Sequence, residues 1–196
     1  MTDVPLCRIE TIEEDRATGL LKESYDALRQ DGGTVGNLYK AFSAYPQPLL
    51  AADRLYKILL HDDTAPLVPW LRELIAVQVA ILTGCDYALT HHGANVRHLY
   101  GDPDEADAII AALKDDDLAA DRIDGRLRAI LGFNAKLTRT PEAMAEADIA
   151  ALRQHGLSDA AISQVIQVSA NFAYWVRVIN ALGVRLGDEP VGRYGP

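Results

Sequence analysis

The chain has 196 residues, 49% apolar and 24% charged, the composition of an ordinary globular domain with enough apolar side chains for one sizeable core. Its formal net charge of −9 opposes binding to nucleic-acid phosphates or anionic lipid, so no nucleic acid and no membrane is expected as a partner. No apolar run approaches the roughly 18 residues of a membrane helix, Met1 to Pro5 open without a secretory pattern, and Cys7 and Cys85 are expected as free thiols in a reducing cytoplasm.

Leu21, Tyr25 and Leu28 recur at helical spacing until Gly32-Gly33 ends that segment. A short helical piece from Leu38 to Ala44 stops before Pro46 and Pro48. The next helix, Leu49 to Leu60, carries Leu55, Ile58 and Leu59 as its apolar stripe, and His61 to Pro66 form a polar connection. Leu67 to Leu82 is apolar nearly all round, which predicts a helix buried in the middle of a bundle. Cys85 to Tyr100 is predicted helical up to Gly101-Asp102-Pro103. Asp104 to Leu113 follows, closed by a solvated acidic turn, Lys114 to Asp117. Arg126 to Leu137 is another helix, Thr140-Pro141-Glu142 is a helix-start signal, and Ala145 to Gln154 ends at Gly156. Ser158 caps a long final segment, Ser158 to Leu182, closed by Gly183. Trp70, Tyr174 and Trp175 are expected in the core or at an interface. No strand pattern interrupts the series, so the fold class is all-α.

Shifting Ser158–Leu182 back by 87 positions lays Asn171-Phe172-Ala173-Tyr174 on Gly84-Cys85-Asp86-Tyr87, each preceded by an apolar helix. The chain therefore reads as one domain built from two diverged helical repeats. A helical extension (1–45) precedes a repeat at about 46–115 and a degenerate one at about 124–187. Phe172 stands at the position of Cys85, and Ala160 at that of Glu73, so any chemistry belongs to the first repeat.

That repeat holds a carboxylate, a thiol and an imidazole within twenty residues: Glu73, Cys85 and His92. These are the groups of an activated nucleophile: the attacking thiol, a base, and a group that orients the base. On a helix, Cys85, Ala88 and His92 share one face, whereas His91 points about 100° away and His98 is expected toward solvent with it. Seven residues set Cys85 and His92 about 10 Å apart along the axis, too far for an ideal direct bond without side-chain reach or a bridging water. Glu73 would lie ~18 Å from Cys85 in an unbroken helix; Thr83-Gly84 must break it if the three are to meet. A break there puts Cys85 at a helix N-terminus, where the dipole is expected to lower the thiol pKa. Competing readings are a Cys85 that is only a small buried hydrophobe, a structural ion pair of Glu73 with Arg97 or Arg126, and a metal site from Glu73, Cys85, His91 and His92. The divergence of the neighbouring histidines argues against the last, and no metal is expected.

Glu73, then Cys85-Asp86-Tyr87-Ala88 and His92, resembles the core motif of the carboxymuconolactone decarboxylase and AhpD-like alkylhydroperoxidase superfamily: Glu, eleven residues, Cys-x-x-Cys, and His four residues on. The flanks resemble its peroxidase-related branch, around Ala17-Thr18-Gly19, Tyr45-Pro46, Arg72-Glu73 and Leu152 to Asp159. The resemblance implies an AhpD-like helical bundle that assembles as a homo-oligomer (dimer, trimer or hexamer), with no cofactor. It also implies an antioxidant peroxidase chemistry in which Glu and His relay protons to a pair of thiols. By position, Glu73 and His92 match the relay, Cys85 the first thiol, and Tyr87 a residue lining the site. Ala88 stands where the motif has its second thiol, the one usually assigned the attack on peroxide.

Without a Cys at position 88 no local disulfide forms. Cys85 alone would cycle through a sulfenic acid, with a small-molecule hydroperoxide as substrate and an external thiol as reductant; Cys7 is a candidate remote resolving thiol. Two functions of different class follow. One is a thiol-dependent peroxidase-like oxidoreductase; the other is a decarboxylase-type acid–base enzyme acting on a small organic acid through Glu73 and His92. A catalytically silent oligomeric member is the third possibility.

Overall fold

The one segment without a polar face takes the centre of the molecule. In the computed structural model, which describes residues 5–29 and 33–194, every residue of the stretch 71–80 is buried within helix α4 (Pro69–Leu82). Met1 to Val4 and Gly32 of the Gly32-Gly33 stop lie outside the described residues. Around α4 pack α3 (Leu49–His61), α5 (Asp86–Tyr100), α6 (Pro103–Lys114), α7 (Gly125–Arg139) and α9 (Asp159–Leu182). The outer helices α1 (Gly19–Leu28), α2 (Asn37–Lys40) and α8 (Glu146–Gln154) complete an all-α bundle, with no strand among the described residues.

Helix ends follow the sequence signals. Asp102, Asp124 and Ser158 accept the backbone N–H of Glu105, Leu127 and Ala161 and so cap α6, α7 and α9. Thr140-Pro141-Glu142 leads into a 3₁₀ turn, Pro141–Ala143; α8 starts beyond it, where Asp148 accepts the Ala145 N–H at 2.8 Å. Buried polar side chains tie the elements together. Gln164 of α9 accepts from Leu67 N–H at 2.9 Å and donates to Leu59 O at 3.0 Å, pinning the link between α3 and α4. Asn134 of α7 donates to Gln78 Oε1 at 2.8 Å and to Ile75 O at 3.2 Å. α9 runs unbroken through Asn171-Phe172, the pair that the 87-position shift lays on Gly84-Cys85.

The expected α3 stripe needs correction. Leu55 and Ile58 of α3 are 46% and 51% exposed. The helix instead buries Leu49, Leu59, Leu60 and Asp53, whose carboxylate is compatible with burial because Tyr39 Oη donates to it at 2.7 Å and Lys57 Nζ lies 2.8 Å away. Tyr174 is exposed while its neighbour Trp175 is in the core, since adjacent residues on a helix diverge by about 100°. Trp70 is half-buried, its ring 5.0 Å from that of Tyr100.

The chain beyond α9 returns across the bundle. Arg8 N–H donates to Leu182 O at 2.7 Å and Arg185 N–H to Leu6 O at 3.0 Å, so the two terminal segments run side by side. The C-terminal segment 187–194 then crosses α5. Among the described residues no helix is long and apolar enough to cross a membrane.

Candidate active site

The junction of α4 and α5 is the break that Thr83-Gly84 predicted. Gly84 has φ of +63°, Gly84 N–H donates to Ile81 O at 3.2 Å, and Cys85 N–H reaches back to Ala80 O at 2.9 Å. This is the paired-bond helix ending that needs a left-handed residue, which glycine supplies without a Cβ clash. It terminates α4 and folds α5 back along it. The ~18 Å that an unbroken helix would put between Glu73 and the thiol end no longer keeps Glu73 from α5.

Glu73 Oε2 lies 2.5 Å from His92 Nδ1. Glu73 is fully buried, whereas 11% of the His92 side chain stays exposed, so one edge of the imidazole is reachable. With an ionised carboxylate, which only accepts, Nδ1 carries the proton, and in the neutral imidazole Nε2 then presents a lone pair. The Phe172 ring stands edge-on to His92 at 4.7 Å and holds the imidazole in place. Arg97 pairs with Asp107, and neither it nor Arg126 pairs with Glu73. Glu73 Oε1 has no hydrogen-bond partner, a vacant acceptor in a buried position.

Cys85 sits at the N-cap of α5 but is only 1% exposed. Burial pushes its thiol pKa up, the Asp86 carboxylate adds to the rise, and the Ala88 N–H aimed at the sulfur opposes it. The expected lowering at a helix N-terminus is therefore overturned, because removing the thiolate from water outweighs the helix-end N–H groups. Ala88 is buried on the same face, and no hydrogen bond joins Cys85 to His92 among the described residues. Cys7 and Cys85 are both free and buried; the Cys7 thiol donates to Ile9 O at 3.2 Å.

Tyr87 and His91 face the C-terminal segment. Tyr87 Oη accepts Leu38 N–H at 3.3 Å, and burial, with Glu189 adding, holds its hydroxyl pKa well above the ordinary value. His91 is not solvent-facing as expected. Its Nδ1 accepts Gly192 N–H at 3.1 Å, its Nε2 lies 3.4 Å from Glu189, and its ring rests 4.6 Å from Tyr87. His98 is exposed, stacked on Tyr194 at 5.2 Å. The Asp115 to Asp117 turn is solvated.

Several groups near the Glu73–His92 pair lie outside the sequence motif. The Tyr56 ring is 6.0 Å from His92, and Tyr56 Oη lies 3.2 Å from His61 Nε2. His61 Nδ1 is 3.4 Å from Tyr194 Oη. Burial, joined by the Arg193 guanidinium, holds the His61 pKa down at about 4. Arg72 is buried and donates from Nη1 to Asp62 O at 2.9 Å. His61 borders an open cavity of about 410 Å³ lined also by Asp53, Arg54, Lys57, Asp62 and Arg193. Tyr56, His61, Arg193 and Tyr194 come together only in the folded chain, and no local pattern marks them. Among the described residues, no three His, Cys, Asp or Glu side chains converge as metal ligands would.

Residues 51–120, which contain Glu73, Cys85 and His92, match the carboxymuconolactone decarboxylase family. The fold is shared with a peroxidase-related protein from Silicibacter sp. TM1040, 32% identical with TM-score 0.72, over 85% of this chain and 84% of that one. The chain belongs to the AhpD-like carboxymuconolactone decarboxylase superfamily. A peroxidase-related protein with an alkylhydroperoxidase AhpD core, from Ralstonia eutropha JMP134, is 27% identical, with TM-score 0.80 and 94% of each chain covered. A debrominase, 16% identical with TM-score 0.72 over 96% of this chain and 95% of its own, shares the AhpD-like fold. No curated protein matches the chain.

Proposed function

We propose that this AhpD-like protein is a peroxidase-related oxidoreductase with one reactive thiol, Cys85, served by His92 as base and proton donor and by Glu73 as the group that orients His92. The buried 2.5 Å contact of Glu73 with His92, on the helix that Cys85 opens, carries this reading. The carboxylate fixes the imidazole tautomer and leaves Nε2 free to exchange a proton. Tyr87 and Ala88 lie beside the thiol on the first turn of α5.

His92 Nε2 takes the Cys85 proton through a bridging water, and the thiolate attacks the distal oxygen of a hydroperoxide. An S–O bond forms as the O–O bond breaks, and the alcohol leaves with the proton that His92 held. The sulfur is oxidised and the hydroperoxide reduced by two electrons, leaving a sulfenic acid on Cys85. One external thiol displaces water from it to give a mixed disulfide. A second releases the Cys85 thiol and departs as the external disulfide. With the thiol pKa raised, the resting group is protonated, so deprotonation belongs to the step in which the peroxide arrives. A cytoplasmic homo-oligomer with an external thiol reductant accords with this chemistry.

The buried, protonated state of Cys85 favours a second reading, in which Glu73 and His92 work as an acid–base pair on a small organic acid and the thiol is incidental. Treatment with hydrogen peroxide and an organic hydroperoxide, with a sulfenic-acid trap and mass spectrometry, separates the two. Stoichiometric trapping at Cys85, absent in Cys85→Ser and slowed in His92→Ala and Glu73→Gln, is expected. Trapping no faster than that of free cysteine would overturn the thiol reading and leave the acid–base or silent alternatives.

A further inference from the structure

The cavity beside His61 has an electrostatic character opposite to that of the whole chain, whose net charge is −9. Arg54, Lys57 and Arg193 face two carboxylates, Asp53 and Asp62, leaving a local excess of one positive charge. The carboxylates are already engaged: Asp53 by Tyr39 and Lys57, Asp62 by the backbone N–H and hydroxyl of Thr64 at 2.8 and 2.7 Å. Arg54 and Arg193 are exposed and have no ion-pair partner among the described residues. Two unpaired guanidinium groups at one concave site suit a planar oxyanion. Ile58, 51% exposed on the cavity wall, offers an apolar surface for the rest of such a molecule.

We propose that this cavity is a binding site for a small amphipathic carboxylate, whose charge is paired by Arg54 of α3 and Arg193 of the C-terminal segment beside the His61 ring.

The C-terminal segment thus contributes a ligand-binding group, held in place by Arg193 N–H donating to Asn95 Oδ1 at 2.7 Å and by the Tyr194 hydroxyl at His61. The site also adjoins the buried pair. His61 meets Tyr56, whose ring touches His92, and the unpartnered Glu73 Oε1 lies beyond. The charged and titratable groups around His61 are Asp53, Arg54, Tyr56 and Lys57 of α3, the adjacent Asp62, Arg72 and Glu73 of α4, His92 of α5, and Arg193 and Tyr194. Burial is the larger cause of the low His61 pKa and the Arg193 charge the second; an anion beside Arg193 offsets that second part, so bound carboxylate and protonated His61 stabilise one another.

Binding is read without turnover, so it stands or falls apart from the thiol reading. The full chain with ¹³C-labelled histidine is titrated with hexanoate and, separately, hexan-1-ol, following the His61 ring resonances and the heat of binding. Hexanoate is expected to saturate and to raise the His61 midpoint by about one unit, with hexan-1-ol doing neither. Arg193→Ala is expected to weaken hexanoate about tenfold and to raise the ligand-free His61 midpoint. Arg54→Ala, on the exposed face of α3, gives a second measure independent of the terminal segment, with a similar loss. Failure of hexanoate to saturate, equal binding of hexan-1-ol, or unchanged affinity in both arginine variants overturns the proposal.

Discussion

Glu73 and His92, nineteen positions apart, form a buried carboxylate–imidazole contact of 2.5 Å across the α4–α5 hairpin. Removing one partner leaves the other without compensation in a dry environment. His92→Ala is therefore expected to destabilise the fold by about 3–5 kcal/mol, the range for breaking a buried pair. Glu73→Gln keeps the shape and an acceptor and should cost less, about 1–2 kcal/mol. Replacing both with leucine should recover most of the loss. Urea unfolding of the three variants checks this; equal losses for all three would mean that shape, not the polar contact, sets the stability.

Gly84 takes φ of +63°, and a Cβ built there meets nothing within 4 Å. Gly84→Ala thus adds no steric contact and costs only the left-handed backbone, about 1–2 kcal/mol. Gly84→Asn, whose side chain tolerates that region better, should lose about half as much. Thermal or urea unfolding reads both, and identical stabilities for Ala and Asn would contradict the backbone account.

Cys85 is buried with its thiol pKa raised above the ordinary value. Iodoacetamide should label it more slowly in the native protein than in urea. Because the folded state prefers the protonated thiol, its contribution to stability is complete below the unfolded thiol pKa. The contribution is lost as pH rises through the higher folded value. Stability above about pH 9 should accordingly fall more steeply for the wild type than for Cys85→Ser. Parallel curves would show that the thiol is not pushed up by burial.

The helical skeleton and the central place of α4 were legible because hydrophobic periodicity, caps and glycine stops are local signals. Asp102, Asp124 and Ser158 act as those signals predict. The approach of Glu73 to α5 was legible as a condition on Thr83-Gly84. The sign of the Cys85 shift was not, because the helix end is visible in sequence and the depth of burial is not. The α3 stripe failed for a related reason. Leu55 and Ile58 have the spacing of a core face, but Asp53 was admitted to the interior by Tyr39, a partner from another helix. His61, Arg193 and Glu189 meet α5 or one another only through the tertiary fold, more than ninety residues apart in some pairs, and no local pattern marks such an encounter.

His61 provides a pH dependence on the acid side. Its pKa falls from an ordinary 6.5 to about 4 in the folded protein, through burial and the Arg193 charge. The unfolded chain takes up a proton in that interval and the folded chain does not. The contribution of His61 to stability is therefore complete above about 6.5 and is lost as pH falls toward 4. Solvent reaches part of the ring, so the loss is on the order of 1–2 kcal/mol rather than the full linkage value. His61→Asn cannot titrate and should lack this component, while surface carboxylates contribute equally to both proteins. Urea unfolding at about pH 7 and about pH 4.5 should show the wild type losing more stability than His61→Asn. Arg193→Ala, by raising the folded pKa, should fall between them. An equal loss in all three would mean that His61 keeps an ordinary pKa in the fold and that Arg193 does not act on it.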